Sequence, residues 1–306
     1  MNIQTISIVV PTKGCVNNCR FCVSRMHGND YENSFDRFQI KKRIKYAVSN
    51  GVNTCVVTGT GEPLQNREFL LKLQEIFEEM DHPFPNVEFQ TTGAMLETVV
   101  KMASGTRFFY TDHLKALGVN TVTLSVSDVF DSSNNSAIVG IPERYGFLLE
   151  DICRTIKTRG FNLRLSLNMT NVYDGKSAEQ VLRACKNLLA DQVTFRKLYS
   201  SDDGSEQSVW VRENRCKDET LDGVIRYVKG TPLYDKKTKK KRFTGGAGRR
   251  LYRLPFGATV YSVMGMSVVV DDNCMGRDEY EKLKYVILRE NGKLYSQWDD
   301  EGSLIF

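Results

Sequence analysis

The sequence predicts an α/β protein built on a parallel sheet. Three observations carry that reading. Short β-rich runs alternate with helical stretches six times between residues 3 and 200. The helical stretches repeat their apolar residues near a 3.6-residue period, while several of the short runs alternate with period two. No apolar run reaches the roughly 18 residues that a membrane helix needs, so the apolar faces belong to a folded core. Alternating short strands and helices build βαβ units. Their crossovers allow either a doubly wound sheet or a curved partial barrel.

The elements follow in order. Residues 3–11 read as a buried strand, followed by a cysteine-bearing loop and a helix over 38–49. A second strand is expected at 53–58. The helix after it, 67–80, places Phe69, Leu70, Leu73, Ile76 and Phe77 on one face. A third strand at 87–92 precedes a helical stretch at 111–117. The fourth strand, 121–127, alternates with period two and leads to a helix at 145–158. The fifth strand, 161–169, alternates again before a helix at 178–189, and the sixth lies at 192–198. In either architecture the working groups stand at the carboxyl ends of the strands. Beyond Tyr199 the pattern breaks. Residues 200–208 are polar and turn-rich, 221–229 suit a helix, and 258–270 are β-rich. Residues 285–290 and 293–298 flank Asn291-Gly292, a strong hairpin signal. The expected division is a core at 1–200 and an extension at 201–306, whose own β-ribbon caps one end of the core.

Composition narrows the class. The chain has 306 residues, 41% hydrophobic and 26% charged, which suits a soluble globular protein and excludes disorder throughout. With 23 glycines and 7 prolines it is not collagen-like. The apolar stretch 6–10 is too short for a signal-peptide core and no basic region precedes it, so a cytoplasmic protein without membrane association is expected. The net charge of +5 is local: segment 231–253 holds nine basic residues and one acidic, a balance of +8, leaving −3 for the rest. This basic segment is expected either to be a solvated, mobile loop or to form an anion-binding lid for phosphate, nucleotide or nucleic acid. The adjacent Gly245-Gly246-Ala247-Gly248 run supplies permissive backbone.

Of eight cysteines, Cys55, Cys153 and Cys185 read as small buried hydrophobes. Three others crowd together as Cys15-Val-Asn-Asn-Cys19-Arg-Phe-Cys22, just after the first strand. Three thiolates on one short loop can converge on a metal centre. Zinc normally closes with four ligands, and His27 is near enough in sequence to complete such a set. A four-iron cluster usually takes four cysteines, so three leave one iron open to an exogenous ligand.

The spacing Cys-x3-Cys-x2-Cys, with aromatic Phe21 before the last cysteine, resembles the hallmark of the radical S-adenosylmethionine (SAM) enzymes. Their second hallmark is a glycine–glycine–glutamate turn after the second strand. Here Thr58-Gly59-Thr60-Gly61-Glu62-Pro63 stands there, with Thr60 in place of the first glycine of the pair. The resemblance covers residues 3–200 and implies a partial (β/α)6 TIM-like barrel. It implies that Cys15, Cys19 and Cys22 hold a [4Fe–4S] cluster whose fourth iron is chelated by SAM. Reductive cleavage of SAM would give a 5′-deoxyadenosyl radical that abstracts hydrogen from a substrate. By the same resemblance Thr60, Gly61, Glu62 and Pro63 receive the methionine end of SAM, Phe21 packs by the adenine or cluster, and Ser125 and Asn168 are further polar contacts. Arg196 would meet a substrate anion. An electron donor such as a flavodoxin or ferredoxin is implied as partner. Some relatives carry a second cluster, but Cys216 and Cys274 alone cannot fill a four-cysteine site, so none is expected. RNA-methylating members use a late cysteine, which makes Cys274 the candidate hydrogen donor or nucleophile. The basic segment favours a nucleotide or nucleic-acid substrate, with a peptide as rival. A zinc-stabilised nucleic-acid-binding module is the alternative from another class.

Overall fold

A computed structural model describes residues 3–26, 35–101, 107–201, 204–235, 240–254, 258–271, 283–298 and 300–306. The first half of the chain lays down β1 (Ile3–Val10), α1 (Val23–Met26), α2 (Arg37–Ser49), β2 (Thr54–Gly59), α3 (Arg67–Glu79) and β3 (Asn86–Thr91). A small antiparallel ribbon, β4 (Val99–Lys101) with β5 (Arg107–Phe109), precedes α4 (Tyr110–Ala116). Then come β6 (Thr121–Val126), α5 (Ser132–Val139), α6 (Leu149–Thr158), β7 (Asn162–Asn168), α7 (Ala178–Asn187) and β8 (Gln192–Arg196). The last third contains α8 (Glu206–Asn214), α9 (Asp218–Lys229), β9 (Gly230–Asp235), β10 (Lys240–Gly245), β11 (Arg249–Arg253), β12 (Thr259–Val263), β13 (Met266–Asp271), β14 (Leu283–Leu288) and β15 (Leu294–Tyr295).

Strands β1, β2, β3, β6, β7 and β8 lie side by side in chain order and pair in parallel. They are the six strands expected from the alternation, and with their helices they form a partial TIM-like barrel. Side chains of a strand point alternately to its two faces. One face is apolar throughout: Ile6, Ile8, Cys55, Val57, Val87, Phe89, Val122, Leu124, Leu163, Leu165, Val193 and Phe195 are all buried. They pack in one cluster with helix residues such as Ile44, Leu73, Phe77, Ile152 and Leu182. Truncating Leu73 to Ala would cost about 2–5 kcal/mol by the usual cavity cost. The opposite face is polar. Glu88 accepts from the Thr123 hydroxyl at 2.8 Å and pairs with the Arg164 guanidinium, whose Nε donates to Gln192 at 2.7 Å. That network crosses four adjacent strands.

Helix starts are set by local chemistry. Asp36, Asn66, Asp131 and Ser177 accept backbone N–H groups from the first turns of α2, α3, α5 and α7; each such cap is worth about 1 kcal/mol. Ser177 and Gln180 form a full capping box. The periodicity missed α5, whose sequence Ser-Ser-Asn-Asn-Ser-Ala-Ile-Val is weakly amphipathic, and α8, which begins inside the polar stretch. The helix expected over 145–158 is shorter: a 3₁₀ turn at Glu143–Tyr145 precedes α6.

The C-terminal third differs from expectation in two respects. Strands β11 to β15 extend both edges of the barrel sheet instead of forming a ribbon over one end, and in this third only β9 and β10 form a two-stranded sheet of their own among the described residues. Strand β13 pairs in parallel with β8, and β12 and β11 follow antiparallel beyond it. On the other edge β14 pairs in parallel with β1, and β15 returns as the expected hairpin about Gly292 (φ 72°). The physical reason is that the edges of an open barrel sheet expose unpaired N–H and C=O groups that require partners. The basic segment is also no loop where it is described: β9 and β10 pair antiparallel from Gly230↔Gly245 to Asp235↔Lys240. A Cβ on Gly230 would stand 2.2 Å from the Thr244 carbonyl, so only glycine allows that close crossing. Lys236, Lys237 and Lys239 lie outside the described residues.

Candidate functional site

The cysteine trio lies on the loop between β1 and α1, at the carboxyl end of β1. Backbone bonds fix this loop against the end of α5: Asn18 N–H donates to the Gly140 carbonyl at 3.0 Å, and Arg20 N–H to Ile138 at 3.3 Å. Gly140 has φ 65°, and a Cβ there would meet the Asn18 carbonyl at 2.6 Å. The Arg25 guanidinium bonds the Asn18 side chain and the Asn17 carbonyl, folding the loop back on itself. The Asn17 N–H points to the Cys15 sulfur at 3.4 Å.

Electrostatics tie the three sulfurs together. Burial pushes the Cys19 thiol well up, and the neighbouring Cys22 and Cys15 raise it further. Burial also raises Cys15, partly offset by the Asn17 N–H. A cationic centre shared by the three would relieve both penalties and favour the thiolates. Among the described residues no group of three or more His, Cys, Asp or Glu side chains is gathered closely enough to hold a single metal ion. His27, the fourth ligand of a zinc set, lies outside the described residues.

Next to the trio stands the turn after β2. Gly61 is pressed against the cysteine loop: a Cβ would lie 2.4 Å from Thr12 Oγ1, 2.7 Å from the Gly14 carbonyl and 3.2 Å from Cys15 Cβ. Pro63 opens a 3₁₀ turn, Pro63–Gln65, and Gln65 Oε1 accepts the Val16 N–H at 2.7 Å. Glu62 does not cap this turn with its side chain. Glu62 is 1% exposed, and its carboxylate turns to the end of β3. There it accepts from Thr91 Oγ1 at 2.8 Å and from Thr92 N and Oγ1 at 3.0 Å. Burial raises its pKa, and those hydrogen bonds only partly oppose the rise. Among the described residues no lysine or arginine forms a salt bridge with it. Asn17 Nδ2 donates to Thr92 Oγ1 at 2.8 Å, so the cysteine loop and the glutamate share one network. Two buried oxygens beside it, Thr12 Oγ1 and Asn17 Oδ1, have no hydrogen-bond partner among the described residues.

The remaining candidates occupy the same end of the sheet. Asn168 Nδ2 lies 3.5 Å from Ser125 Oγ and 3.4 Å from Ser127 Oγ, so the ends of β6 and β7 meet. Arg196 ends β8 opposite Asn168, and its guanidinium makes no hydrogen bond or ion pair to a described residue. Phe21 packs with its ring 6.1 Å from Trp210 of α8 in a small cluster with Met26, Leu198 and Val211. A cleft of about 400 Å³ opens between the cysteine loop, α5 and α8, lined by Cys19, Arg20, Arg25, Gly140, Glu206 and Trp210. Cys274 lies outside the described residues.

Sequence reasoning missed Thr12, Asn17, Thr91 and Thr92. The rule that chemistry gathers at strand ends was the available signal for the two threonines closing β3. It also missed Glu88 and Arg164, whose inward placement follows from counting alternate positions along their strands.

These residues fit an iron–sulfur cluster and SAM: three coupled thiols, a glycine with no room for a Cβ and, among the described residues, a buried carboxylate lacking a cation and two unpartnered oxygens. No curated protein matches the sequence. Among solved structures, the fold is similar to that of SuiB from Streptococcus suis bound to precursor peptide SuiA, with TM-score 0.56 and 15% identity over 96% of this chain and 59% of that one. It is also similar to methylornithine synthase PylB (TM-score 0.52, 18% identity, 74% and 62% covered) and to HydG, a maturase of the [FeFe]-hydrogenase (0.51, 16%, 74% and 50%). The chain thus spans half to three-fifths of the length of these proteins. With residues 9–195 matching the Radical SAM superfamily model, the chain belongs to the radical SAM superfamily, enzymes that bind a [4Fe–4S] cluster and SAM and draw on an external reductant.

Proposed function

We propose that this chain reductively cleaves SAM, with Cys15, Cys19 and Cys22 as the cluster ligands and the turn Thr60–Pro63 as the seat of the methionine end. The observation that carries this is Glu62: a buried carboxylate with no cationic partner among the described residues, next to Gly61, which is pressed on the cysteine loop. An ammonium group placed there would gain a charge-assisted hydrogen bond and relieve an uncompensated buried charge. Thr91 and Thr92 orient the carboxylate. Gly61 leaves backbone accessible at close range. Ser125 and Asn168 supply hydroxyl and amide groups for further polar contacts to SAM. Phe21, turned toward Trp210, is better suited to bracing the cysteine loop than to stacking on adenine. When bound, the cluster and SAM supply one-electron cleavage of the sulfonium carbon–sulfur bond and hydrogen abstraction; the protein supplies position and exclusion of water. A flavodoxin or ferredoxin is the proposed electron donor.

For the substrate, the guanidinium of Arg196 at the carboxyl end of β8, unpaired among the described residues, supports a molecule carrying an anionic group. Exposed Arg249 and Arg250 on β11, following the basic β9–β10 ribbon, support a nucleotide or nucleic acid. A peptide is the second reading, favoured by the similarity of fold along 96% of the chain to a protein bound to its precursor peptide. Within the superfamily a zinc-only role for the trio has no support.

The test is anaerobic. Chain reconstituted with iron and sulfide, then given dithionite and SAM, is expected to release 5′-deoxyadenosine, and Cys19→Ala to release none. A full cluster with no SAM cleavage would overturn the proposal.

A further inference from the structure

Thr60 replaces a glycine in the turn after β2, and its hydroxyl has found a distant partner. Thr60 Oγ1 donates to the carboxylate of Glu290, 230 residues later in the chain, and both residues are half-buried. The topology explains the meeting. Strand β14 is parallel to β1, with Leu288 opposite Ile8, while β2 flanks the other side of β1, with Gly59 opposite Val10. Both chain exits therefore open at the carboxyl end of the sheet. Two strands on either side of a third stand about 9.6 Å apart at 4.8 Å spacing, so this bond must reach across the end of β1. It closes over the point where the chain leaves for Thr12 and the cysteine loop.

Glu290 is held on a firm base. Its neighbour Arg289 donates to the carbonyls of Gln297 (2.7 Å) and Asp300 (3.1 Å) and lies 3.8 Å over the Tyr295 ring. Asn291 closes the hairpin, donating to the Tyr295 hydroxyl at 2.9 Å and accepting the Lys293 N–H at 3.0 Å. The backbone on both sides of Glu290 is anchored in this way, which sets where its carboxylate meets the turn.

We propose that the C-terminal hairpin is a working part of the cofactor site: Glu290, acting through the Thr60 hydroxyl, is a positioning residue for the Gly59–Pro63 turn and for the root of the cysteine loop. This rests on the reading of that turn as the seat of SAM. A glycine in place of Thr60 would offer no such handle. Extension and barrel are therefore coupled at the SAM turn as well as through strand pairing.

The experiment compares reconstituted wild type, Thr60→Val, Thr60→Ser and Glu290→Gln. It reads iron content, equilibrium SAM binding, kcat and KM for SAM cleavage, and hydrogen exchange of peptides covering 11–19 and 59–66. Removal of the Thr60 donor in Thr60→Val, and weakening of the bond to a neutral one in Glu290→Gln, are expected to weaken SAM binding by about 3- to 10-fold. The change should fall mainly on KM, with faster exchange in both peptides. Thr60→Ser, which keeps the hydroxyl, should bind SAM closer to wild type than Thr60→Val does. Wild-type SAM binding and unchanged exchange in Thr60→Val and Glu290→Gln would overturn the proposal while leaving the site reading intact. Wild-type chain with a full cluster that binds no SAM would overturn both.

Discussion

Asn17 donates its side-chain amide to the Thr92 hydroxyl across 2.8 Å, and that hydroxyl donates onward to Glu62 at 3.0 Å. A residue between Cys15 and Cys19 is thereby wired to the buried carboxylate of a different loop. Thr92→Val keeps the shape and removes the relay, leaving the Asn17 amide without this acceptor and Glu62 Oε2 with the residue-92 N–H but no hydroxyl donor. The expected loss is about 1–3 kcal/mol, read as a lower urea midpoint for the apo chain. Thr92→Ser should recover most of it.

Glu62 predicts a pH signature. Burial lifts its folded-state pKa above the ordinary carboxylate value. The folded chain therefore holds this proton more tightly than the unfolded chain. The linked stability is present below the unfolded value and is lost as pH rises through the raised folded value. Glu62→Gln removes that dependence. The difference in unfolding free energy between apo wild type and Glu62→Gln should shift in favour of the variant as pH climbs through this window. A flat difference would show that the carboxylate is not strained by burial.

Gly61→Ala is expected to displace the cysteine loop. The new methyl would meet Thr12 Oγ1 at 2.4 Å and the Gly14 carbonyl at 2.7 Å. Trimming Thr12 to Ala relieves the first clash only, because the second is with backbone. Iron retained per chain after desalting should fall in Gly61→Ala and stay low in the double variant.

The cysteines should divide by role. Serine at Cys15, Cys19 or Cys22 should abolish the brown chromophore. Alanine at Cys153 or Cys185, both fully buried in the apolar core, should lower stability yet leave iron content as in wild type. Loss of iron in the core variants without unfolding would contradict the assignment of the loop.

The basic ribbon offers a substrate-level check. Glutamine at Arg249 and Arg250, exposed on β11, should weaken binding of a nucleic-acid probe and flatten its dependence on salt. Equal binding and an equal salt slope at low ionic strength would leave the peptide reading as the one to pursue.

The six strands, most of their helices and the cysteine loop were legible in the sequence because their signals are local. Periods of two and 3.6 report which face a strand or helix buries, and the spacing of Cys15, Cys19 and Cys22 is set within eight residues. The turn at Gly61–Glu62 was legible for the same reason. Tertiary structure alone decided that β13 and β14 take the two edges of the barrel sheet. It alone turned Glu62 to Thr91 and Thr92, paired the basic segment as a ribbon, and joined Thr60 to Glu290. Each of those outcomes depends on a partner far away in the chain. Hydrogen-bonding needs at a sheet edge or around a buried carboxylate leave no periodic trace in the residues that will satisfy them.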